Sequence, residues 1–377
     1  MTTHLTSTFL NFGRSFAVLV VVAILAGAAP AQTKLVTAVR DGSGNLKLIS
    51  WTEAGVRLNG PGASAGAVSR ISAVRVGGST LMVTAVRDGN GNLKVIAWSV
   101  PFNGQITRLG SAQAGAVTLI SAVSIPSGNR IVTAVRDGSG NLKVIVWDVS
   151  TAGVITRLPG EGSAGAVSAI SSAFIGIGAT LLATAVRDGN GNLKIITWRL
   201  GATGVLNRLQ EASAGAVTEI SALPDSFINL TTAVRDGGGN LKLIGWTVDA
   251  NGTITRVGEA QAGAATLIAA FPLEGLRFAT AVRNSIGNLK VITWNRPAPN
   301  QFIRTAQSTA GTVSAITGCT TSSLVGAPFI VNFQTPVRDG SGNLRVIRWR
   351  SSTQGLTRLG TGASAGAVSR ISAVCFK

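Results

Sequence analysis

Apolar runs rich in Val, Ile and Thr recur along this chain, each ended by Gly, Asn, Asp or Pro. Residues 67–123 hold one full cycle. Residues 67–76 read as a first strand, 77–79 as a turn and 80–87 as a second strand. Residues 88–92 make a hairpin into a third strand at 93–100. After a loop at 101–104, residues 105–109 form a fourth strand, and 111–115 read as the loop that leads to the next first strand, 116–123. β-Branched runs bounded by turn formers are the strand signal, and Asp-Gly between two such runs is a hairpin signal. Consecutive apolar pairs such as Ala85-Val86 and Val95-Ile96 break the alternation of a one-sided sheet. These strands are therefore expected to be buried on both faces.

The cycle repeats at an almost fixed period. Its third strand ends at Trp51, Trp98, Trp147, Trp198, Trp246, Trp294 and Trp349, which are all seven tryptophans of the chain, 47 to 55 residues apart. Such a period marks a repeat architecture. Four-strand units that cannot bury their faces alone gain a core by stacking around an axis. The fold expected is all-β: a seven-bladed β-propeller of four-stranded antiparallel blades. Residues 34–40 are a second strand with no first strand before it, and residues 367–374 a first strand with no second strand after it. The C-terminal strand should thus join the N-terminal blade and close the ring, leaving no free sheet edge.

Asp137 to Val149, DGSGNLKVIVWDV, resembles the third strand of WD-repeat propellers, which ends in Trp-Asp. The resemblance implies that family's strand order across residues 32–377 and a scaffold role. Only Trp147 is followed by Asp, and Ala65-Gly66-Ala67 stands where the family's Gly-His pair would lie.

The N-terminus differs in kind. Arg14 precedes an apolar run over residues 16–29 with small residues at Ala29 and Ala31, the pattern of a secretory signal cut after Ala31. The run is shorter than the roughly 20 apolar residues of a membrane span. Residues 1–31 are expected to be a signal peptide and 32–377 an exported propeller, secreted, periplasmic or extracellular, with no span left after cleavage. Cys319 and Cys375 fall in nearly equivalent slots of neighbouring copies. Export permits a disulfide between them, and two buried thiols are the equal alternative.

Formal charge is +18, with 21 of the 33 Lys and Arg in three repeated slots: Val-Arg-Asp, Asn-Leu-Lys and Thr-Arg-Leu. Charge spread around a ring, with 5% aromatic residues, argues against a nucleic-acid partner and for a glycan or another anionic polymer. The only histidine, His4, lies in the signal segment, and no acids outside the turns cluster, so neither catalysis nor a cofactor is expected. Asp88, Asn90 and Asn92 have the spacing of an oxygen-ligand loop, but no later acid completes it and cations flank it, so no metal is expected either.

The most uniform polar stretch is Arg-Asp-Gly-x-Gly-Asn. One explanation is turn chemistry, with Asp and Asn bonding nearby amides and Arg pairing with Asp. The other is a ring of ligand sites: Arg40, Asp41 and Asn45; Arg87, Asp88 and Asn92; Arg136, Asp137 and Asn141; Arg187, Asp188 and Asn192; Arg235, Asp236 and Asn240; Arg283, Asn284 and Asn288; Arg338, Asp339 and Asn343. Guanidinium and amide groups bind carboxylates, sulfates and sugar hydroxyls, and repeated weak sites gain avidity on a polymer. Asn284 with Ser285-Ile286 makes the sixth copy a variant. The function expected is a non-catalytic module binding glycan or anionic polymer through these turns. The alternative is a protein-interaction scaffold that uses the variable loops, with the repeated turns purely structural.

Overall fold

The computed structural model describes residues 32, 34–58, 62–126, 128–175, 180–224, 229–324 and 330–376. The signal segment expected at residues 1–31 lies outside them. The described residues form strands and turns, and none is helical. Their antiparallel pairings fall into seven four-stranded sheets, numbered here by their tryptophans from Trp51 to Trp349. Sheet 2 shows the plan. Residues 68–75 of the strand Ser64–Arg75 pair with Leu81–Asp88, which pairs with Asn92–Ser99, which pairs with residues 107–116.

The fourth strand is longer than the pattern of residues suggested. Residues 111–115, expected as a loop, are part of one continuous strand, Thr107–Ser124, which serves as fourth strand of sheet 2 and first strand of sheet 3. The same holds for Leu206–Pro224 between sheets 4 and 5. The alanine that ends Ser-Ala-x-Ala-Gly-Ala lies where the chain swings from one sheet to the next, beside the first glycine of the neighbouring hairpin. A Cβ placed on Gly89 would lie 3.4 Å from the Ala67 Cβ. In sheet 7 the first strand is interrupted and resumes as Cys319–Leu324, paired to Ile330–Asp339; residues 325–329 lie outside the described set.

Each tryptophan is fully buried and packs against the preceding sheet. Trp98 lies among Val36, Ala38, Leu46 and Leu48 of sheet 1, and Trp51 among Leu344 and Val346 of sheet 7. Each indole Nε1 donates to a buried threonine hydroxyl fourteen residues earlier, as Trp98 does to Thr84 at 2.9 Å and Trp349 to Thr335 at 2.8 Å. A buried indole N–H needs an acceptor, which explains why Thr opens this run in all seven copies, as Thr-Ala-Val-Arg in six and as Thr335-Pro336-Val337-Arg338 in the last.

The first strands are also joined to one another. Backbone N–H groups of Ala73, Ala122, Ser172, Ala222 and Ala270 donate to hydroxyls of Ser372, Ser72, Ser121, Ser171 and Ser221 on the preceding sheet. That chain of bonds runs from sheet 1 to sheet 6. Where it ends, Ala269 and Thr317 occupy the serine slot. The last junction has a covalent link instead: Cys319 of sheet 7 is disulfide-bonded to Cys375, in the first strand of sheet 1, with Cα atoms 5.8 Å apart. The ring closes as expected, with Gly355–Cys375 paired to Leu35–Asp41 in the register Leu35↔Cys375 to Asp41↔Val368.

Candidate functional site

The repeated turn is built as a clamp on the crossing strand. The Asp41 Oδ1 accepts from the backbone N–H of Ser43 and of Asn45, both at 3.0 Å. Asp88, Asp137, Asp188 and Asp339 repeat both bonds, and Asp236 keeps the bond to Asn240. Asn284 does the same work with its amide oxygen, accepting from Ile286 and Asn288. The second glycine of each turn has a positive φ, 84° at Gly91. Its carbonyl accepts the N–H of the residue at which the strand crosses to the next sheet, as Gly91 does from Val117.

The arginine completes the clamp and does not pair with the adjacent aspartate. Arg87 Nε donates to the Val117 carbonyl at 2.7 Å and its Nη1 to Ser69 Oγ at 2.9 Å. Arg40, Arg187, Arg235 and Arg338 make the equivalent two bonds. Arg136 and Arg283 keep the hydroxyl bond to Thr118 and Thr266, and each leaves a buried Nε without a partner. One guanidinium thus ties the first strand of its own sheet to the start of the next, half-buried and packed over the turn glycine. Replacing Arg187 by Met should lower stability by about 1–3 kcal/mol, the range for leaving buried partners unsatisfied. Thermal or urea unfolding measures this.

What faces solvent is the other oxygen of the aspartate. Gln113 Nε2 donates to Asp88 Oδ2 at 3.3 Å, and Gln261 to Asp236 Oδ2 at 3.4 Å. Around that oxygen, clefts open between successive sheets. One of about 230 Å³ is lined by Ala65, Gly66, Asp88, Gly89, Lys94 and Gln113. A second, about 220 Å³, holds Asp137, Gly138, Ser139, Lys143 and Arg157 beside residues 114–117. A third, about 290 Å³, holds Asp339, Gly340, Ser341, Arg345 and Arg358 beside residues 311–313. The pieces are the same each time: a carboxylate oxygen, a glycine turn, the Ala-Gly backbone of the preceding crossing, and a cation from the third strand. The ring arginines line none of these three clefts. The Asn-Leu-Lys slot lines all three, with Lys94, Lys143 and Arg345, and the Thr-Arg-Leu slot two, with Arg157 and Arg358; the sequence shows these residues only as charge. Cross-strand register is the missing signal, since it sets Lys94 opposite Gln113.

The remaining acids do not converge. Glu161 pairs with Lys143 at 2.6 Å and with Arg157, Glu211 with Lys194 at 3.2 Å and with Arg208, and Glu259 with Lys242 at 2.8 Å and with Arg256. The Lys194 ammonium, ahead of the Arg208 guanidinium, holds the Glu211 carboxyl below its ordinary range. Glu219 lies opposite Arg235 on a first strand, where burial pushes its carboxyl up against that guanidinium's opposing pull. Among the described residues no group of three His, Cys, Asp or Glu side chains could hold a metal ion, and no helix is long and apolar enough to cross a membrane.

No protein-family model and no curated protein matches this chain. Solved structures do. A 6-phosphogluconolactonase candidate from Bacteroides uniformis aligns with 92% of this chain and 100% of its own at a TM-score of 0.62 and 10% identity. The fucose-specific lectin of Aleuria aurantia aligns with 80% of this chain and 97% of its own at 0.53 and 17% identity. AofleA from Arthrobotrys oligospora aligns with 82% and 90% at 0.52 and 12%. The fold is a β-propeller. A further structure of the Aleuria lectin is described as six-bladed, against the seven sheets paired here. At these identities the likeness concerns fold alone.

Proposed function

We propose that this chain is an exported, non-catalytic glycan-binding module whose sites are the clefts between sheets. The observation that carries the reading is the repetition of one polar cleft. Each offers an acceptor (Asp Oδ2) and a donor (Lys or Arg) on a rigid glycine-rich wall, the complement of vicinal sugar hydroxyls. At about 220–290 Å³ each falls just below the roughly 300 Å³ where sites for drug-sized ligands begin, a scale suited to one sugar ring. Repetition around the ring would convert weak single-site binding into avidity. The fucose specificity named for the Aleuria lectin adds support from a similar fold. Export is supported by the N-terminal signal pattern and by the disulfide, which suits an oxidising compartment. The protein-scaffold alternative draws on Val56, Phe102 and Val154, exposed on the third-to-fourth connections of sheets 1 to 3.

Relative to that reading, the Arg-Asp-Gly-x-Gly-Asn ring has a divided role: Arg and the Asn backbone hold the fold, and Asp also faces the ligand. A glycan array probed with the purified protein, followed by calorimetry on the best ligand, tests it. Binding with more than one site per chain is expected. Asp88→Asn keeps the turn, as Asn284 shows in the sixth copy, and removes only the anionic oxygen. It should weaken its own cleft about 10- to 100-fold, the equivalent of one hydrogen bond to a charged group, and leave the melting temperature in place. Absence of retention on every neutral and acidic glycan sinks the reading.

A further inference from the structure

The cations are not evenly balanced around the ring. Residues 117–266, which hold the body of sheets 3 to 5, carry eleven Lys and Arg against ten Asp and Glu. Residues 34–116 and 267–376 together carry twenty against five. Ring closure between Gly355–Cys375 and Leu35–Asp41 makes those two segments one continuous arc of sheets 6, 7, 1 and 2. The even spread inferred from the repeated slots is therefore corrected: the slots are even, but the acids that would neutralise them are not.

The asymmetry is located at a single register position. Opposite the third apolar residue of the third strand, Ile196 in sheet 4 and Ile244 in sheet 5, stand Glu211 and Glu259, and Glu161 holds the matching place in sheet 3. There each glutamate bridges the third-strand lysine and the fourth-strand arginine. The same position is Ser111 in sheet 2, Gln307 in sheet 6 and Thr361 in sheet 7. In sheet 1 the stretch Asn59-Gly60-Pro61-Gly62 has no acid. The cation pairs Lys290 and Arg304, Arg345 and Arg358, Lys47 and Arg57, and Lys94 and Arg108 thus stand without that glutamate, Arg345 keeping only the Asp339 Oδ2 of its own turn at 3.6 Å. Burial, then the facing Arg304 guanidinium, lowers the proton affinity of Lys290, as expected of two cations held together without an acid between them.

We propose that the arc of sheets 6, 7, 1 and 2 is an anion-binding track for an acidic polysaccharide, its carboxylates or sulfates taken by these four cation pairs, while the glutamates of sheets 3 to 5 occupy the equivalent places from within. The proposal rests on the glycan reading above and adds the class of glycan and the half of the ring that binds it. Paired cations on a repeating frame suit an extended polyanion, and guanidinium groups bind carboxylate and sulfate with two parallel bonds. A nucleic acid suits the track less well. All seven tryptophans are buried, so none is free to stack on a base.

The test moves the glutamate. Ser111→Glu with Gln307→Glu installs in sheets 2 and 6 the triad that sheets 3 to 5 already carry, so folding is preserved by precedent, and thermal melting checks it. Glu211→Gln with Glu259→Gln does the reverse. Heparin oligosaccharide and polygalacturonate are the acidic probes, with a neutral fucosylated glycan and duplex DNA alongside, each across a salt series. The expected results are acidic-glycan binding that weakens with salt, a loss of at least about tenfold in the first variant and a gain of severalfold in the second, with neutral-glycan affinity unmoved. Unchanged acidic-glycan affinity in both variants overturns the track, and so does DNA binding as tight as heparin binding. Neutral-glycan binding with no acidic preference overturns the track and leaves the glycan reading standing. Failure of neutral and acidic glycans alike overturns both.

Discussion

Deleting residues 368–377 should abolish cooperative folding. That segment is the first strand of sheet 1, paired with Leu35–Asp41 over seven register positions, and it brings Val374 and Phe376 into the core beside Trp98. Without it, Leu35–Asp41 becomes an exposed apolar edge, the kind that pairs with other chains, and Ala73 loses the Ser372 hydroxyl its N–H donates to. The expected outcome is aggregated protein or a broad, non-two-state melt. A sharp transition near that of the intact protein would show that strand closure contributes little. The disulfide can be separated from the strand. Cys319→Ser with Cys375→Ser leaves the pairing intact and frees a crosslink spanning 56 residues, worth about 4 kcal/mol on the chain-entropy estimate. The double variant should melt lower than the oxidised protein and no longer respond to reductant.

The second large effect concerns the tryptophan slot. Trp98→Ala should destabilise by about 3–5 kcal/mol, the range for removing a large aromatic from a packed core, because the cavity opens between sheets 1 and 2 rather than inside one sheet. Thr84→Val separates the two parts of that effect. It keeps the volume and leaves the indole Nε1, now 2.9 Å from the Thr84 hydroxyl, with no acceptor. A loss of about 1–3 kcal/mol is expected from the unsatisfied donor. Equal effects of the two variants in urea unfolding would contradict the assignment of most of the energy to packing. A related constraint sits under Trp198: a Cβ on Gly162 would lie 2.5 Å from its ring, which explains a glycine within the fourth strand of sheet 3.

These interactions also explain why the repeat is so uniform along the chain. Thr, Trp, Arg, the two turn glycines and the Ser of Ile-Ser each make a bond or contact that recurs at nearly every junction. Uniformity at the turns therefore does not by itself indicate a ligand. The arginine is occupied by Val117 and its equivalents, and a substitution there acts on the fold first. The groups with chemistry to spare are less conspicuous in the sequence: the second aspartate oxygen and, outside sheets 3 to 5 where a glutamate bridges them, the Asn-Leu-Lys lysine and the Thr-Arg-Leu arginine.

Much of the architecture was legible in order along the chain. The seven tryptophan slots, the Asp-Gly hairpins and the complementary strands at 34–40 and 367–374 lead to stacked four-stranded units and a closed ring, because each signal is local and is repeated seven times. The course of Ser-Ala-x-Ala-Gly-Ala was not legible, since small residues read as a loop unless the third strand beside them is in view. Nor was the partner of each arginine, which lies up to 30 residues along the chain for Nε and hundreds for the Arg40 hydroxyl bond to Ser369. The neutralised and unneutralised halves illustrate the same division. Glu161, Glu211 and Glu259 are plain to see in the sequence, but only cross-strand register places them between a lysine and an arginine, and only ring closure joins residues 267–376 to residues 34–116 as one face. Periodicity reports which residues share a slot. Which slots touch is decided by pairing and stacking between segments far apart in the chain.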